Sequence, residues 1–297
     1  MKRRDMLLTS GAAVLGLSAF PLRWVEAREK KKQKILYYTR SVGFEHSPVR
    51  RKGDELSHSE KILSELFNER GIEIVCTKDG GVFDGDLDQY DAIAFYTCGD
   101  LLRPQSKDGA PPMTAVGKEN LLKAVAGGKG FVGFHSATDT FHSKGDRNKV
   151  QTEVDPYVGM IGGEFIKHGP QQVATMTVTG KGFPGTESAG DSFDLNEEWY
   201  AMKNFAGDMY VVLVQETKGM KGNCYQRPPF PATWARKHGK GRVFYTSLGH
   251  REDVWTNELC QQIILGGFSW AMGNADAELK TNLQQAAPDA DTLSTEL

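Results

Sequence analysis

What this 297-residue sequence lacks narrows its function first. It carries four cysteines, Cys76, Cys98, Cys224 and Cys260, with no C-x-x-C spacing, which excludes a zinc ribbon. In an oxidising compartment they leave room for one or two disulfides. Cys76 with Cys98 is not expected to be one. Both sit at the ends of predicted strands, and if these flank a third strand they stand about 9–10 Å apart, beyond disulfide reach. Neither sign of charge is in excess: 36 Lys and Arg against 38 Asp and Glu leave a net charge of -2. That balance cannot hold a polyphosphate backbone, so nucleic acid is excluded as an expected partner. There is no internal repeat and no low-complexity tract. The apolar run "AAVLGLSAF" is too short and too poorly flanked for a permanent membrane span.

That run follows Arg3 and Arg4 and ends near "VEA", the layout of a twin-arginine export signal over residues 1–27. Met6 replaces the commoner aromatic, and cleavage is expected near Ala27. A soluble periplasmic protein with no stable membrane span should result. The signal carries four basic and two acidic side chains, so the remainder would hold a charge of -4. This route exports folded proteins, often with a cofactor already inserted, which favours a bound metal. Residues 28–33 read as a basic linker, 34–272 as one domain, and 273–297 as a polar, frayed tail.

The clearest part of the domain is its first half. "KILYYTR", "IEIVCT", "YDAIAFYTCGD" and "GFVGF" read as strands with near-continuous apolar character. Between them, Ser57 with Glu60 makes a capping box for one helix, and Thr114 caps a second that stops at Gly127 or Gly128. Strand, helix, strand, strand, helix, strand predicts an α/β fold with a doubly wound, mostly parallel sheet. Residues 138–230 loosen into a β-rich insertion with "VATMTV" and "MYVVLVQE" as strands. A hairpin follows in "PATWARKHGKGRVFYTSLGH", then a covering helix in "NELCQQIILGGFSWAMG".

In "FVGFHSA" a buried strand breaks at a small-x-polar-x-small turn shaped like a nucleophile elbow, but the tip is His135. His46 follows the first strand and His250 ends the last, so three histidines converge at the carboxyl edge of the sheet, where ligands bind in open α/β folds. His168, in the insertion, is a fourth. Glu45, Asp139, Glu197, Glu198 and Glu252 are acidic candidates beside them. Imidazoles with one carboxylate suit a divalent Zn, Mn, Fe or Ni centre, with His46, His135, His168 and His250 as candidate ligands. His135, His250, Glu198, Asp139 and Glu252 are candidate catalytic groups. Glu45, Ser136, Trp199, Tyr200 and Trp255 are candidate substrate contacts, the aromatics by stacking on sugar faces. His58, His142 and His238 read as structural.

"GFEHSP", "YDAIAF", "GKGFVGFHSATDTF", "MIGGEFIKHGPQQ", "EEWY" and "PATWARKHGKGRVFYTSLGH" together resemble the ThuA-like (trehalose utilisation) family over about residues 34–272. The resemblance implies the flavodoxin-like fold of class I glutamine amidotransferases, in which the elbow carries a cysteine served by a His-x-Glu pair. Here His250 and Glu252 stand in "HRE", but His135 replaces the cysteine, so amidotransfer through a thioester is ruled out by chemistry. The family is implied in breakdown of disaccharides and glycosides, beside sugar oxidoreductases that make 3-keto sugars. Three readings stay open: a metal-dependent enzyme on a small carbohydrate, a Ser136/His250/Glu252 hydrolase, and a non-catalytic carbohydrate binder.

Overall fold

The computed structural model describes residues 32–296. The expected export signal and most of the basic linker lie outside the described residues.

The first half forms as its pattern dictates. Strand β1 (Lys34–Tyr38) leads through a loop to helix α1 (His58–Asn68), which opens with the Ser57–Glu60 capping box. Strands β2 (Glu73–Thr77) and β3 (Ala92–Phe95) follow, then helix α2 (Ala115–Gly127) and strand β4 (Gly130–Phe134). The Thr114 hydroxyl accepts from the Gly117 N–H at the start of α2, and Gly128 ends the helix at φ 132°.

The insertion holds helix α3 (Pro156–Ile161) and strands β5 (Glu164–His168), β6 (Gln172–Val178), β7 (Ser192–Glu197), β8 (Tyr200–Lys203) and β9 (Tyr210–Gln215). A hairpin of β10 (Phe230–His238) and β11 (Gly241–Thr246) precedes helix α4 (Glu258–Ala271) and the short α5 (Leu283–Ala286).

One nine-stranded sheet runs in the order β2-β1-β3-β4-β11-β10-β9-β6-β7. The pairs from β2 to β11 are parallel and those from β11 to β7 antiparallel. The parallel half has the strand order of a flavodoxin-like fold, with its topological switch between β1 and β3. The insertion mostly extends this sheet, leaving only β5 and β8 as a separate pair.

Alternation along the strands builds two cores. Leu36, Tyr38, Ile93 and Phe95 pack with Leu121 and Val125 of α2 and with Tyr157, Met160 and Ile161. Ile35, Tyr37, Ala92 and Ala94 face the other way, onto Leu63 and Phe67 of α1 and Ile263 and Phe268 of α4.

One expectation changes and one holds. The tail is not frayed: Asn282 exchanges hydrogen bonds with the Val211 backbone at 2.6 and 3.0 Å, and the buried Arg227 donates to the Ala290 carbonyl. Leu283, Ala287 and Ala290 are buried, so a few small apolar side chains anchor a segment that is polar on average. The four cysteines are free thiols, and β1 lies between the strands that carry Cys76 and precede Cys98.

Candidate metal centre

Every strand of the parallel half ends on one edge, and the loops there carry the site. His46 follows β1 at the switch point. His135 stands directly after β4 with a φ of 38°, in the left-handed region. For a residue with a Cβ that conformation costs about 1–2 kcal/mol, and the surrounding fold holds it. His250 lies four residues beyond β11. Glu198 sits in the two-residue link between β7 and β8.

These four residues form a compact group in which one ligand atom from each lies within 4.8 Å of the others. The three rings make a nearly equilateral triangle, with centroids 4.9 Å apart for His46 and His135 and 5.2 Å for each pairing with His250. Glu198 Oε1 is 3.1 Å from His250 Nδ1 and 3.6 Å from His135 Nε2. The longer distance exceeds a hydrogen bond, and the shorter one lacks the angle of one. Consequently His46 Nδ1, His135 Nε2 and His250 Nδ1 are all buried with no hydrogen-bond partner. Such atoms normally cost about 1–3 kcal/mol each unless something satisfies them.

The opposite nitrogen of each ring does have a partner. His135 Nδ1 donates to the Ser247 carbonyl at 3.0 Å, and the Tyr200 hydroxyl is 3.4 Å from His46 Nε2. The Gln171 amide nitrogen is 2.9 Å from His250 Nε2. That amide's oxygen accepts from Arg251 Nη1 at 3.1 Å, so its NH2 donates to Nε2, and ligation through Nδ1 would require the imidazole proton to move to Nε2 and the amide to turn away from Arg251. A ring held by one nitrogen with the other free is the outer-shell pattern of a ligating histidine.

A divalent transition ion fits this donor set. Bonds of about 2.1 Å in a tetrahedral site place ligand atoms about 3.4 Å apart, so the widest pair would close by up to about 1.4 Å on binding. Three imidazoles and one carboxylate suit Zn, Mn, Fe or Ni.

Electrostatics favours the ligating protonation states of His46 and Glu198. Burial, followed by the neighbouring His135 and His250, holds the His46 imidazole well below its usual range and therefore neutral. Burial pushes Glu198 up, but His135 and His250 outweigh it and hold the carboxyl well below the usual range. Glu197, fully buried, spends its carboxylate on the backbone N–H groups of Gly249, His250 and Arg251 at 2.9, 3.1 and 3.2 Å. It ties the His250 loop to the segment that presents Glu198.

A family profile for trehalose utilisation, ThuA, matches residues 34–271. The chain belongs to the ThuA family. Among solved structures, a ThuA-like protein from Bacteroides uniformis aligns with a TM-score of 0.59 at 19% identity, over 83% of this chain and 94% of its own. Another, from Parabacteroides merdae, aligns with a TM-score of 0.58 at 17% identity, over 86% and 97%. These likenesses establish the fold. No curated protein matches the sequence. Among the described residues no helix is long and apolar enough to cross a membrane.

Other candidates fall elsewhere in this ThuA fold. His168 stands beside the group as a neighbour and not within it: its Nδ1 is 2.9 Å from the Gly169 carbonyl and 3.4 Å from Glu198 Oε2. Asp139 turns away, with Oδ1 accepting from His142 and Arg147 and Oδ2 from the Cys98 thiol. Glu45 pairs with Arg50 and Lys78. Glu252 is exposed and offers only its backbone carbonyl, to His58; the carboxylate facing His250 is Glu198, so the Ser136/His250/Glu252 triad is not assembled. Ser136 Oγ is buried without a partner.

The aromatic candidates are also corrected. Trp199 and Trp255 are core residues whose indole N–H groups donate to the backbone carbonyls of Gln172 and Gly249. Tyr200 is buried between His135 and Phe165, with centroids at 4.1 and 3.9 Å, so it offers a hydroxyl to His46 and no open face. Residue type alone did not tell which of these rings is covered. Gln171 and the Ser247 carbonyl carry no signal of their own in the sequence.

Proposed function

We propose that this chain is a metal-dependent enzyme acting on a glycoside or keto-sugar. The observation that carries the reading is the convergence of three unpartnered imidazole nitrogens on the Glu198 carboxylate at the carboxyl edge of the sheet. The family's description supports a carbohydrate as substrate.

A bound divalent ion would supply Lewis acidity, polarising a sugar carbonyl or hydroxyl. The protein's own residues do the rest. His46, His135, His250 and Glu198 would hold the ion, while Tyr200, Ser247 and Gln171 fix the rings. His168 is placed to move the proton. Its Nδ1–H is committed to the Gly169 carbonyl, with Glu198 close by, which leaves the lone pair on Nε2 of a side chain that is 43% exposed. Proton transfer by His168 serves an elimination, an isomerisation or a hydrolysis.

The proposal extends to place and partners. The twin-arginine pattern at residues 1–27 supports export to the periplasm, and the resemblance supports work beside sugar oxidoreductases that supply 3-keto sugars. Turnover of disaccharides and their 3-keto derivatives, with and without chelator, tests the activity. Loss with chelator and recovery on adding one metal is expected. Undiminished turnover in metal-stripped protein would overturn the reading.

A further inference from the structure

With both sequence-predicted tryptophan platforms buried, a sugar at the metal centre needs another apolar surface. Trp199, Trp234, Trp255 and Trp270 are all buried, and among the described residues Phe44 is the one aromatic side chain that stands out into solvent, at 57% exposure. Its place is specific. The Phe44 ring meets the His46 ring edge-on, with centroids 4.8 Å apart and planes at 78°, while His46 itself is only 2% exposed. Phe44 is therefore an exposed ring against a buried candidate ligand.

The loop that presents it is braced. The Val42 and Gly43 N–H groups both donate to the Cys98 carbonyl, at 2.7 and 3.2 Å, and the Phe44 N–H donates to the Cys98 thiol at 3.3 Å. Gly99 packs so closely on this loop, at φ 84°, that a Cβ there would lie 2.7 Å from the Gly43 nitrogen. A loop backbone braced before binding loses little freedom when a ligand covers it. An apolar ring against the edge of a polar site gives a ligand a surface on which to bury its own apolar face.

We infer that Phe44 is a substrate platform, stacking on the C–H face of a pyranose whose polar edge is directed to the His46/His135/His250/Glu198 centre. This rests on the carbohydrate reading above. It assigns the face that the ligand presents and the residue that selects for a ring over an open-chain polyol.

The test uses trehalose, the sugar in the family's description, with the full chain loaded with zinc. Saturation-transfer NMR maps which sugar protons touch the protein, calorimetry gives the affinity, and metal content is measured in the same samples. Saturation concentrated on the C–H protons of one ring face is expected in the wild type. Phe44→Ala should weaken binding about tenfold with unchanged metal content, and Phe44→Trp should restore it. Equal affinity in wild type and Phe44→Ala would overturn the platform, as would a zinc-loaded wild type that binds no trehalose. In the latter case retained zinc leaves the metal centre standing. Phe44-dependent binding in protein that holds no metal would instead overturn the metal reading and keep the platform.

Discussion

Two histidine clusters in this chain use the same residue types to opposite ends. In one, His142 lies between two carboxylates, with Nε2 2.8 Å from Asp139 Oδ1 and Nδ1 3.1 Å from Glu164 Oε1. Asp139 also accepts from Arg147 and Cys98, and Glu164 from Ser143 and Asn204. Both nitrogens of that ring are used, so the cluster is a closed strap holding the segment after β4 to β5. In the other, each of His46, His135 and His250 has one nitrogen anchored and one bare. Counting histidines and carboxylates would not separate the two. Satisfaction does, because a buried polar atom without a partner is costly unless a ligand supplies one.

The largest effect that would sharpen this contrast is loss of metal. Replacing His250 by Ala, or His135 by Asn, which tolerates the left-handed backbone, should reduce bound transition metal to background in folded protein. Elemental analysis together with circular dichroism reads both. The mirror variant, His142→Ala, should keep its metal and lose stability. Removing one partner from two nearly buried carboxylates costs about 2–4 kcal/mol, read as a lower denaturant midpoint. Metal loss in His142→Ala with the fold intact would break the comparison.

Smaller still is Tyr200→Phe. It removes the hydroxyl that faces His46 Nε2 and should lower metal affinity about tenfold in a competition titration, the low end for an outer-shell partner.

The pH dependence of the strap is the finest test. Burial pushes Glu164 up, but His142, Ser143, Lys203 and Asn204 pull it down to about 2. Its folded value lies below the unfolded one of about 4.3, so its stabilisation is present above that pH and fades as pH falls toward the folded value. Burial lowers His142, yet bonds to Asp139 and Glu164 raise it overall. Its stabilisation is present below the unfolded value of about 6.5 and fades as pH climbs through the raised folded value. Wild type should lose part of its stability above about pH 6.5, and His142→Ala should not show that decline. Denaturant midpoints across pH measure it.

Much of the frame was legible because its signals are local. Ser57 with Glu60, Thr114 before α2, and the apolar runs of β1 to β4 each state their element within a few residues. The pieces that escaped are short or take their reason from afar. Helix α3 has six residues, and β5 and β8 pair only with each other. The site was half legible. Strand-end positions brought His46, His135 and His250 together, since parallel strands finish on one edge. Glu198 was the candidate chosen over Glu197, but the physical reason for the difference lies in the fold: neighbouring residues face opposite ways, and Glu197 anchors backbone while Glu198 meets the rings. Asp139 lies close to His135 in sequence, but the turn after β4 aims it at His142. Trp199 and Trp255 look like sugar platforms until their burial is known.

Metal content compared across three proteins tests the central claim most directly. The wild type, His250→Ala and His142→Ala are to be purified after expression with Zn, Mn, Fe and Ni supplied, and analysed by plasma mass spectrometry. The account predicts near-stoichiometric transition metal in the wild type and in His142→Ala, and background in His250→Ala. A metal-free wild type, or metal retained in His250→Ala, would contradict it.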